Sequence, residues 1–296
     1  MTNRTLRTQR IAKPALRLQS SDLFLTRQGA DTEDAVALMS DLTAFNGPHP
    51  RYHFHGYAGD QIVGDGKFFD RTALGNHGVR GANLSDAQLF ANAGYVSTID
   101  PAGGATDSVI RLPNLNFNYD GGEKLIIWWL GKITAEGSSQ EWMGDGSSAT
   151  YPGLALRLNT NGTIQPYIRS AAASYFGSST SSNVGNGTLQ SWALAIDGTG
   201  KQYAQWVNDA LDGAWVGGFL SWNGGNPSDS RNANTFNIGC AVPAVGVSTN
   251  GTAVQTRALA ILRLSATDVM PTAATLTNTF KQLRANPSKP ILGSAF

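Results

Sequence analysis

The chain has 296 residues, of which 41% are hydrophobic, and its formal net charge is only +1. This length suits one large domain or two small ones, and the near-zero charge argues against binding of nucleic acid or acidic membranes through overall charge. Cys240 is the single cysteine, which excludes an intrachain disulfide and a cysteine-based metal site. No apolar run approaches the ~20 residues of a membrane-spanning helix, so we expect no membrane partner.

Residues 1–48 form the first predicted domain, a basic arm followed by a short helix. The first 27 residues contain one acidic residue, Asp22, and six basic ones: Arg4, Arg7, Arg10, Lys13, Arg17 and Arg27. Such a polar, weakly patterned segment is disordered when alone. We predict an arm that docks on a neighbouring subunit and tethers the chain into an assembly, with folding back on its own domain as the alternative. No apolar stretch follows these charges, so the segment is not a secretory signal and we expect release without ordinary secretion.

The helix of this first domain is predicted from Asp31 to Phe45. Val36, Leu38 and Leu42 belong to an apolar stripe at helical spacing. The stripe predicts packing of this helix on the following domain or on a partner.

Residues 49–296 are predicted to form one all-β domain. Two alternating runs joined by a Gly-containing turn predict a central hairpin at Ser191 to Asn208, and Asn161-Gly162 marks a second hairpin. Leu125 to Leu130 is apolar on both faces, which predicts a strand that is covered on both sides. Apolar residues at helical spacing predict a short C-terminal helix from Thr272 to Leu283.

Several motifs follow the order that is found in one known superfamily. They are Gly75-Asn76-His77-Gly78, Ser108 to Pro113, Leu125 to Leu130, Leu154 to Tyr167, Ser191 to Asn208, Phe236 to Gly239, Ala260 to Leu264 and Met270 to Leu283. With these motifs, region 50–285 resembles the laminin G-like, concanavalin A-like lectin and glucanase superfamily. The resemblance implies a two-sheet antiparallel jelly-roll sandwich, here with an N-terminal arm and short helix and a short C-terminal helix.

The glutamates bear on the glucanase side of this resemblance. Hydrolysis of a glycosidic bond uses two carboxylates, and the related enzymes carry them close to the pattern Glu-x-Asp-x-x-Glu. The glutamates of this chain are Glu33, Glu123, Glu136 and Glu141, and none occurs in that pattern. We therefore expect no enzyme activity and no catalytic residues, with a glucanase-type glycoside hydrolase as an alternative.

The resemblance also implies calcium binding through loop oxygens, of which calcium takes several. The candidate ligands are Asp70, Asn76 and Asp107. The family has an acidic residue before its last long strand, where this chain has Arg257-Ala258. We expect no cofactor, with calcium as the alternative. His53 and His55 share one face of a predicted strand, and we interpret them as a surface pair beside buried Tyr52 and Phe54.

Aromatic and amide side chains in Gly- and Ser-rich stretches predict a recognition surface. They are Trp142, Tyr151, Trp215, Trp222, Asn223 and Asn226. An aromatic ring stacks on a sugar while amides bond its hydroxyls, and the same residue types are enriched where proteins contact each other. Three uses are therefore open: glycan binding, a protein interface, and packing of the loops on the sandwich.

The function that we expect from these features is non-enzymatic. An arm joined to a sandwich resembles the virion proteins of tailed bacteriophages, either capsid decoration or tail-associated proteins. The resemblance implies a location in the virion, other virion subunits as partners and a homo-oligomer. Nucleic-acid binding is disfavoured because the arm contains no recognised motif. The first alternative is a glycan-binding, receptor-recognising module, and the second is the glycoside hydrolase.

Overall fold

The computed structural model describes residues 52–60, 65–72, 74–99, 108–113, 115, 117, 121–146, 153–169, 174–217, 235–241 and 251–288. The predicted arm and helix of residues 1–48 lie outside these ranges, so the domain boundary after residue 48 stays a prediction. In the described part, no helix has the length and apolar character needed to cross a membrane.

The described residues form sixteen strands and two α-helices. In chain order the strands are β1 (Tyr52–Tyr57), β2 (Lys67–Phe68), β3 (Gly78–Arg80), β4 (Val96–Ser97), β5 (Ile110–Leu112), β6 (Lys124–Ile133), β7 (Gln140–Gly144), β8 (Gly153–Leu158), β9 (Ile164–Arg169), β10 (Ser174–Phe176), β11 (Gln190–Asp197), β12 (Gln202–Val207), β13 (Ala210–Leu211), β14 (Val216–Gly217), β15 (Phe236–Ile238) and β16 (Val254–Leu264). The helices are α1 (Asp86–Leu89) and α2 (Ala273–Ala285), and a single 3₁₀ turn spans Ala58–Asp60.

These strands pair into two antiparallel sheets, as the sequence predicts. Sheet A has the order β1-β16-β6-β11-β12-β13, with β4 paired to β16 and β14 paired to β12. Sheet B has the order β10-β9-β8-β7-β15-β5-β3-β2. The result is a lectin-like jelly-roll sandwich.

The predicted central hairpin is confirmed as β11 and β12 in sheet A. Trp192 pairs with Val207 and Asp197 with Gln202, so the turn falls at residues 198–201. On its other side, β11 pairs with β6 along its full length, from Gln190 opposite Gly131 to Asp197 opposite Lys124. The hairpin therefore lies well inside the sheet rather than at its edge.

A chain of three indole rings joins the two sheets through the core. Trp129 of β6 and Trp142 of β7 pack edge to face with ring centroids 5.0 Å apart, and Trp142 packs likewise on Trp192 at 5.6 Å. The indole of Trp129 donates to Thr256 Oγ1 at 3.1 Å, and that of Trp192 donates to Gln205 Oε1 at 3.2 Å. Edge-to-face pairs add about 0.5–1.5 kcal/mol each beyond burial, so these rings help to hold the sheets together.

The outer face of sheet A is covered by α2. This helix explains why β6, which contains Leu125 to Leu130, is apolar on both faces. Leu276, Phe280 and Leu283 of the helix are buried in one cluster with Trp128 of β6. Thr272 caps the helix by accepting a hydrogen bond from the backbone N–H of Thr275 at 3.2 Å. The predicted C-terminal helix is thus confirmed, and it ends two residues later than expected.

His55 departs from the predicted surface pair. Phe54 points into the core between the sheets, but His55 on the opposite face of β1 is also fully buried, whereas His53 is half-buried. A register irregularity of β1 between Tyr52 and Phe54 accompanies this difference. The prediction of a surface pair is therefore wrong for His55.

Candidate functional site

The outer face of sheet B is the polar face of the sandwich. Along β8, Leu154, Leu156 and Leu158 point into the core, so the residues between them, Ala155 and Arg157, point outward. In β7 a register shift between Glu141 and Met143 interrupts this alternation, so Trp142 and Met143 both lie in the core. On the outward side of sheet B, Arg157 is half-buried and Ala155 is buried.

One row of outward residues crosses five neighbouring strands of this face. Arg111 of β5 pairs with Asn237 of β15, Asn237 with Gly144 of β7, Gly144 with Ala155 of β8, and Ala155 with Tyr167 of β9. Neighbouring strands lie about 4.8 Å apart. The guanidinium of Arg111 therefore lies at one end of the row and the phenol ring of Tyr167 at the other. Asn237, Gly144 and Ala155 lie between them.

The middle of this row is closely packed. Gly144 has a φ of +149°, and a Cβ at this position would lie 2.2 Å from the carbonyl oxygen of Leu154 and 3.0 Å from the Cβ of Ala241. Ala155 and Ala241 are buried in one cluster with Tyr167. The middle of the row is therefore made of backbone and methyl groups that are themselves buried.

A second row adds charged side chains beside these buried positions. Glu141 of β7 pairs with Arg157 of β8, and Arg157 pairs with Gln165 of β9. All three side chains are half-buried. The amide of Gln165 donates to the carbonyl oxygen of Gly177 at 2.7 Å. With Arg111, which is also half-buried, this face of sheet B carries two guanidinium groups and one carboxylate.

This arrangement suits a ligand with hydroxyl and carboxylate groups. A guanidinium donates two parallel hydrogen bonds to a carboxylate, and a carboxylate accepts from hydroxyls. The phenol ring of Tyr167 is buried against Ala155 and Ala241 beside these polar groups. We define Arg111, Glu141, Gly144, Arg157 and Tyr167 as the outer-face site.

Sequence reasoning missed this site. Arg111, Arg157 and Tyr167 lie within strands that the sequence predicts correctly, but no motif marks them. The signal that was present is a polar or aromatic residue at the outward position of a strand, as in Leu156-Arg157-Leu158. The pattern shows that such a residue points outward, but only the strand order shows that several of them meet.

Of the predicted recognition residues, the structure describes Trp142 and Trp215, and it does not bring these two together. Trp142 is fully buried in β7 between two other indoles, so it cannot contact a glycan and the prediction for this residue is wrong. The Gly-rich residues after it suggested a loop, but the strand continues to Gly144. Trp215 is half-buried, and its ring packs edge to face on Trp206 of sheet A at 6.2 Å.

The other predicted recognition residues lie outside the described ranges. They are Tyr151, Trp222, Asn223 and Asn226. Gly146 and Gly153 border the segment with Tyr151, and Thr235 follows the segment with the other three. These bordering residues lie at one end of sheet B, because Gly144 pairs with both Asn237 and Ala155.

The predicted metal ligands of the Asp70 loop have a structural use. The carboxylate of Asp70 accepts hydrogen bonds from the backbone N–H groups of His55, Thr72 and Asn76, at 2.9–3.0 Å. The amide of Asn76 donates to the carbonyl oxygen of His53 at 2.7 Å. Among the described residues, no cluster of three or more His, Cys, Asp or Glu side chains is placed to hold a metal ion. Asp107 lies outside them, so calcium binding stays a prediction.

Two of the glutamates have partners of their own. Glu123 accepts two hydrogen bonds from the guanidinium of Arg263, at 2.8 and 2.9 Å, and Glu136 accepts one from the hydroxyl of Thr252 at 3.4 Å. Glu33 lies outside the described residues. The absence of catalysis stays a prediction.

Comparison with known proteins supports the fold alone. No family model and no curated protein matches the chain. The binding domain of botulinum neurotoxin DC, solved with rat synaptotagmin II, is 10% identical over 80% of this chain and 52% of its own, with a TM-score of 0.51. This likeness shows a shared fold.

Two further structures resemble parts of the sandwich more weakly. The CBM40 domain of the Ruminococcus gnavus IT-sialidase, bound to α2,3-sialyllactose, is 15% identical over 58% of this chain and 96% of its own, with a TM-score of 0.42. The leech intramolecular trans-sialidase is 14% identical over 54% of this chain and 23% of its own, with a TM-score of 0.39.

Proposed function

We propose that this chain is a non-catalytic glycan-binding module that recognises acidic sugars on the outer face of sheet B. The observation that carries the proposal is the outer-face site, in which the half-buried side chains of Arg111, Arg157 and Glu141 lie on one face of sheet B. A carboxylate-bearing sugar would place its anion on the guanidinium of Arg111 or Arg157. Its hydroxyls would donate to Glu141.

The charge of the site favours an acidic over a neutral glycan. The two guanidiniums outnumber the single carboxylate of Glu141, and half-burial strengthens their hydrogen bonds because less water competes. A hydrogen bond to a charged group contributes about 1.5–3 kcal/mol. One such contact therefore changes affinity by roughly ten- to a hundred-fold.

A panel of immobilised glycans tests this proposal. We expect the full chain to bind sialylated and uronic-acid-containing glycans but to bind their neutral parent sugars weakly, without releasing any sugar. Arg111→Ala and Tyr167→Ala should each lower binding at least tenfold. Arg257→Ala changes an arginine of sheet A and is the matched control, which should bind as the unmodified chain does.

The virion role remains a separate prediction that rests on residues 1–48. It is compatible with a glycan-binding sandwich, because a module can display a recognition face while an arm attaches it to an assembly. The glycoside hydrolase alternative requires release of sugar in the same panel, which our proposal does not expect.

A further inference from the structure

A cavity of about 370 Å³ lies at one end of sheet A, remote in the strand order from the outer-face site. It is bounded by α1, by the residues after β4, by the end of β6 and by the start of β16. We propose that this cavity is a second binding site, for an uncharged, polyhydroxylated molecule the size of one sugar ring. The proposal uses none of the residues of the outer-face site.

The floor of the cavity is a cross-strand row of polar side chains. Lys132 of β6 pairs directly with Gln255 of β16, and Gln255 pairs with Ser97 of β4. Asn92 contributes to the wall, where its amide donates to the hydroxyl of Ser97 at 3.1 Å. Regular sheet pairing therefore fixes the spacing of this floor.

The surrounding backbone is held by its own hydrogen bonds. The N–H of Thr98 donates to the carbonyl oxygen of Val254 at 2.9 Å, and the N–H of Val254 donates to the hydroxyl of Thr98 at 3.0 Å. The N–H of Thr252 donates to the carbonyl oxygen of Gly239 at 2.9 Å. The cavity is therefore preformed, and a ligand does not have to order its walls.

Several polar groups of the cavity have unused hydrogen-bonding capacity. In the part of the chain that the structure describes, the ammonium of Lys132 makes no hydrogen bond and lies 5.0 Å from the ring centroid of Tyr95. The amide of Gln255 makes none in those ranges either. The carboxylate of Glu136 accepts only the hydroxyl of Thr252, at 3.4 Å. Donors and acceptors are thus both available to a ligand.

The chemistry of these groups selects the class of ligand. The positive charge of Lys132 offsets the negative charge of Glu136. The site as a whole therefore does not attract a ligand through a net charge. Hydroxyls, by contrast, donate to a carboxylate and accept from an ammonium or an amide, which is the set that lines the cavity. Ile99 in the wall offers an apolar surface to ring C–H groups. The volume lies at the small end of ligand pockets, which fits one sugar ring.

Chemical-shift mapping of the ¹⁵N-labelled full chain with D-galactose, D-glucose and myo-inositol tests the proposal. We expect at least one of these compounds to shift the amides of residues 97–99, 132–136 and 252–255, with saturation in the millimolar range. Gln255→Ala and Glu136→Gln should each weaken this binding at least tenfold. Gln165→Ala, an amide removed from sheet B, should leave it unchanged.

Other outcomes would overturn the proposal. They are the absence of saturable shifts in these segments, unchanged affinity in folded Gln255→Ala and Glu136→Gln variants, and equal shifts with glycine, which would indicate a zwitterion site. If Gln255→Ala does not fold, Lys132→Met replaces it with the same expectation. Acidic-glycan binding in the Gln255→Ala variant reports on the outer-face site separately, so the two proposals fail independently.

Discussion

At the scale of single residues, buried polar groups tie distant turns of the sandwich together. Lys124, at the start of β6, is 3% exposed. Its ammonium donates to Thr199 Oγ1 and to the carbonyl oxygen of Ala266, both at 3.0 Å, with longer contacts to the carbonyl oxygens of Gly122 and Ser265. One side chain thus holds three turns that are far apart in the sequence.

Replacing Lys124 with Met should lower the free energy of unfolding by about 1–3 kcal/mol, because the buried oxygens that it bonds lose their donor. Chemical denaturation at neutral pH measures this change. Lys281→Met, an exposed lysine of α2, is the control and should change stability by less than about 0.5 kcal/mol. Equal effects of the two substitutions would show that the contacts of Lys124 contribute nothing.

The burial of His55 predicts a pH dependence of stability. Burial, with a smaller contribution from the charge of Arg71, lowers the pKa of His55 from 6.5 to about 4. The unfolded chain therefore takes up a proton below pH 6.5 while the folded chain does not. The stability that this histidine contributes is fully present above pH 6.5 and is lost as the pH falls towards 4.

The loss amounts to at most about 3.5 kcal/mol, from about 1.4 kcal/mol per pKa unit. Urea unfolding at pH 7.5, 6, 5 and 4 measures it. His55→Leu should show a flatter dependence than the unmodified chain, most clearly between pH 6.5 and 5, where few carboxylates titrate. Identical pH profiles would contradict the neutral state of the buried imidazole.

At the scale of elements, α2 determines whether the outer face of sheet A is covered. The ring of Phe280 packs on Trp206 with centroids 5.2 Å apart, and the indole of Trp206 donates to Thr277 Oγ1 at 3.0 Å. Sheet A therefore has a core on each side, one against sheet B and one against the helix.

Phe280→Ala should lower the free energy of unfolding by about 3–5 kcal/mol, because it leaves a cavity between helix and sheet. Thermal or denaturant unfolding measures the difference. Asn278→Ala, at an exposed position of the same helix, tests whether the effect comes from packing and should stay within about 0.5 kcal/mol. A small effect of Phe280→Ala would mean that the helix is not required to cover the sheet.

At the scale of the whole molecule, local signals predict the elements but not their assembly. Asn161 marks its hairpin through chemistry that the structure retains, since its side-chain oxygen accepts from both the backbone N–H and the hydroxyl of Thr163. The apolar run of Leu125 to Leu130 predicts a strand that is covered on both faces. In the structure, β6 packs against the core between the sheets on one face and against α2 on the other. Such signals depend on neighbours in sequence, so they are visible without a structure.

The sequence does not show which strands pair with each other. Whether a strand joins sheet A or sheet B depends on pairings such as that of Asn237 with Arg111, which are far apart in the chain. The sequence predicts a loop near Trp142 because Gly144 and the residues after it are rich in Gly and Ser, but Trp142 lies in β7. The outer-face site is not visible in the sequence, because its members come from four strands and lie near each other only after the sheet has formed.

Acidic-glycan recognition by the outer-face site is most directly tested by the ratio of affinities for sialyllactose and lactose, measured by calorimetric titration. We predict that the full chain prefers sialyllactose at least tenfold, that Arg157→Ala removes this preference, and that Arg257→Ala keeps it. Equal affinities for the two sugars in the full chain, or a preference that persists in folded Arg157→Ala, would contradict the account.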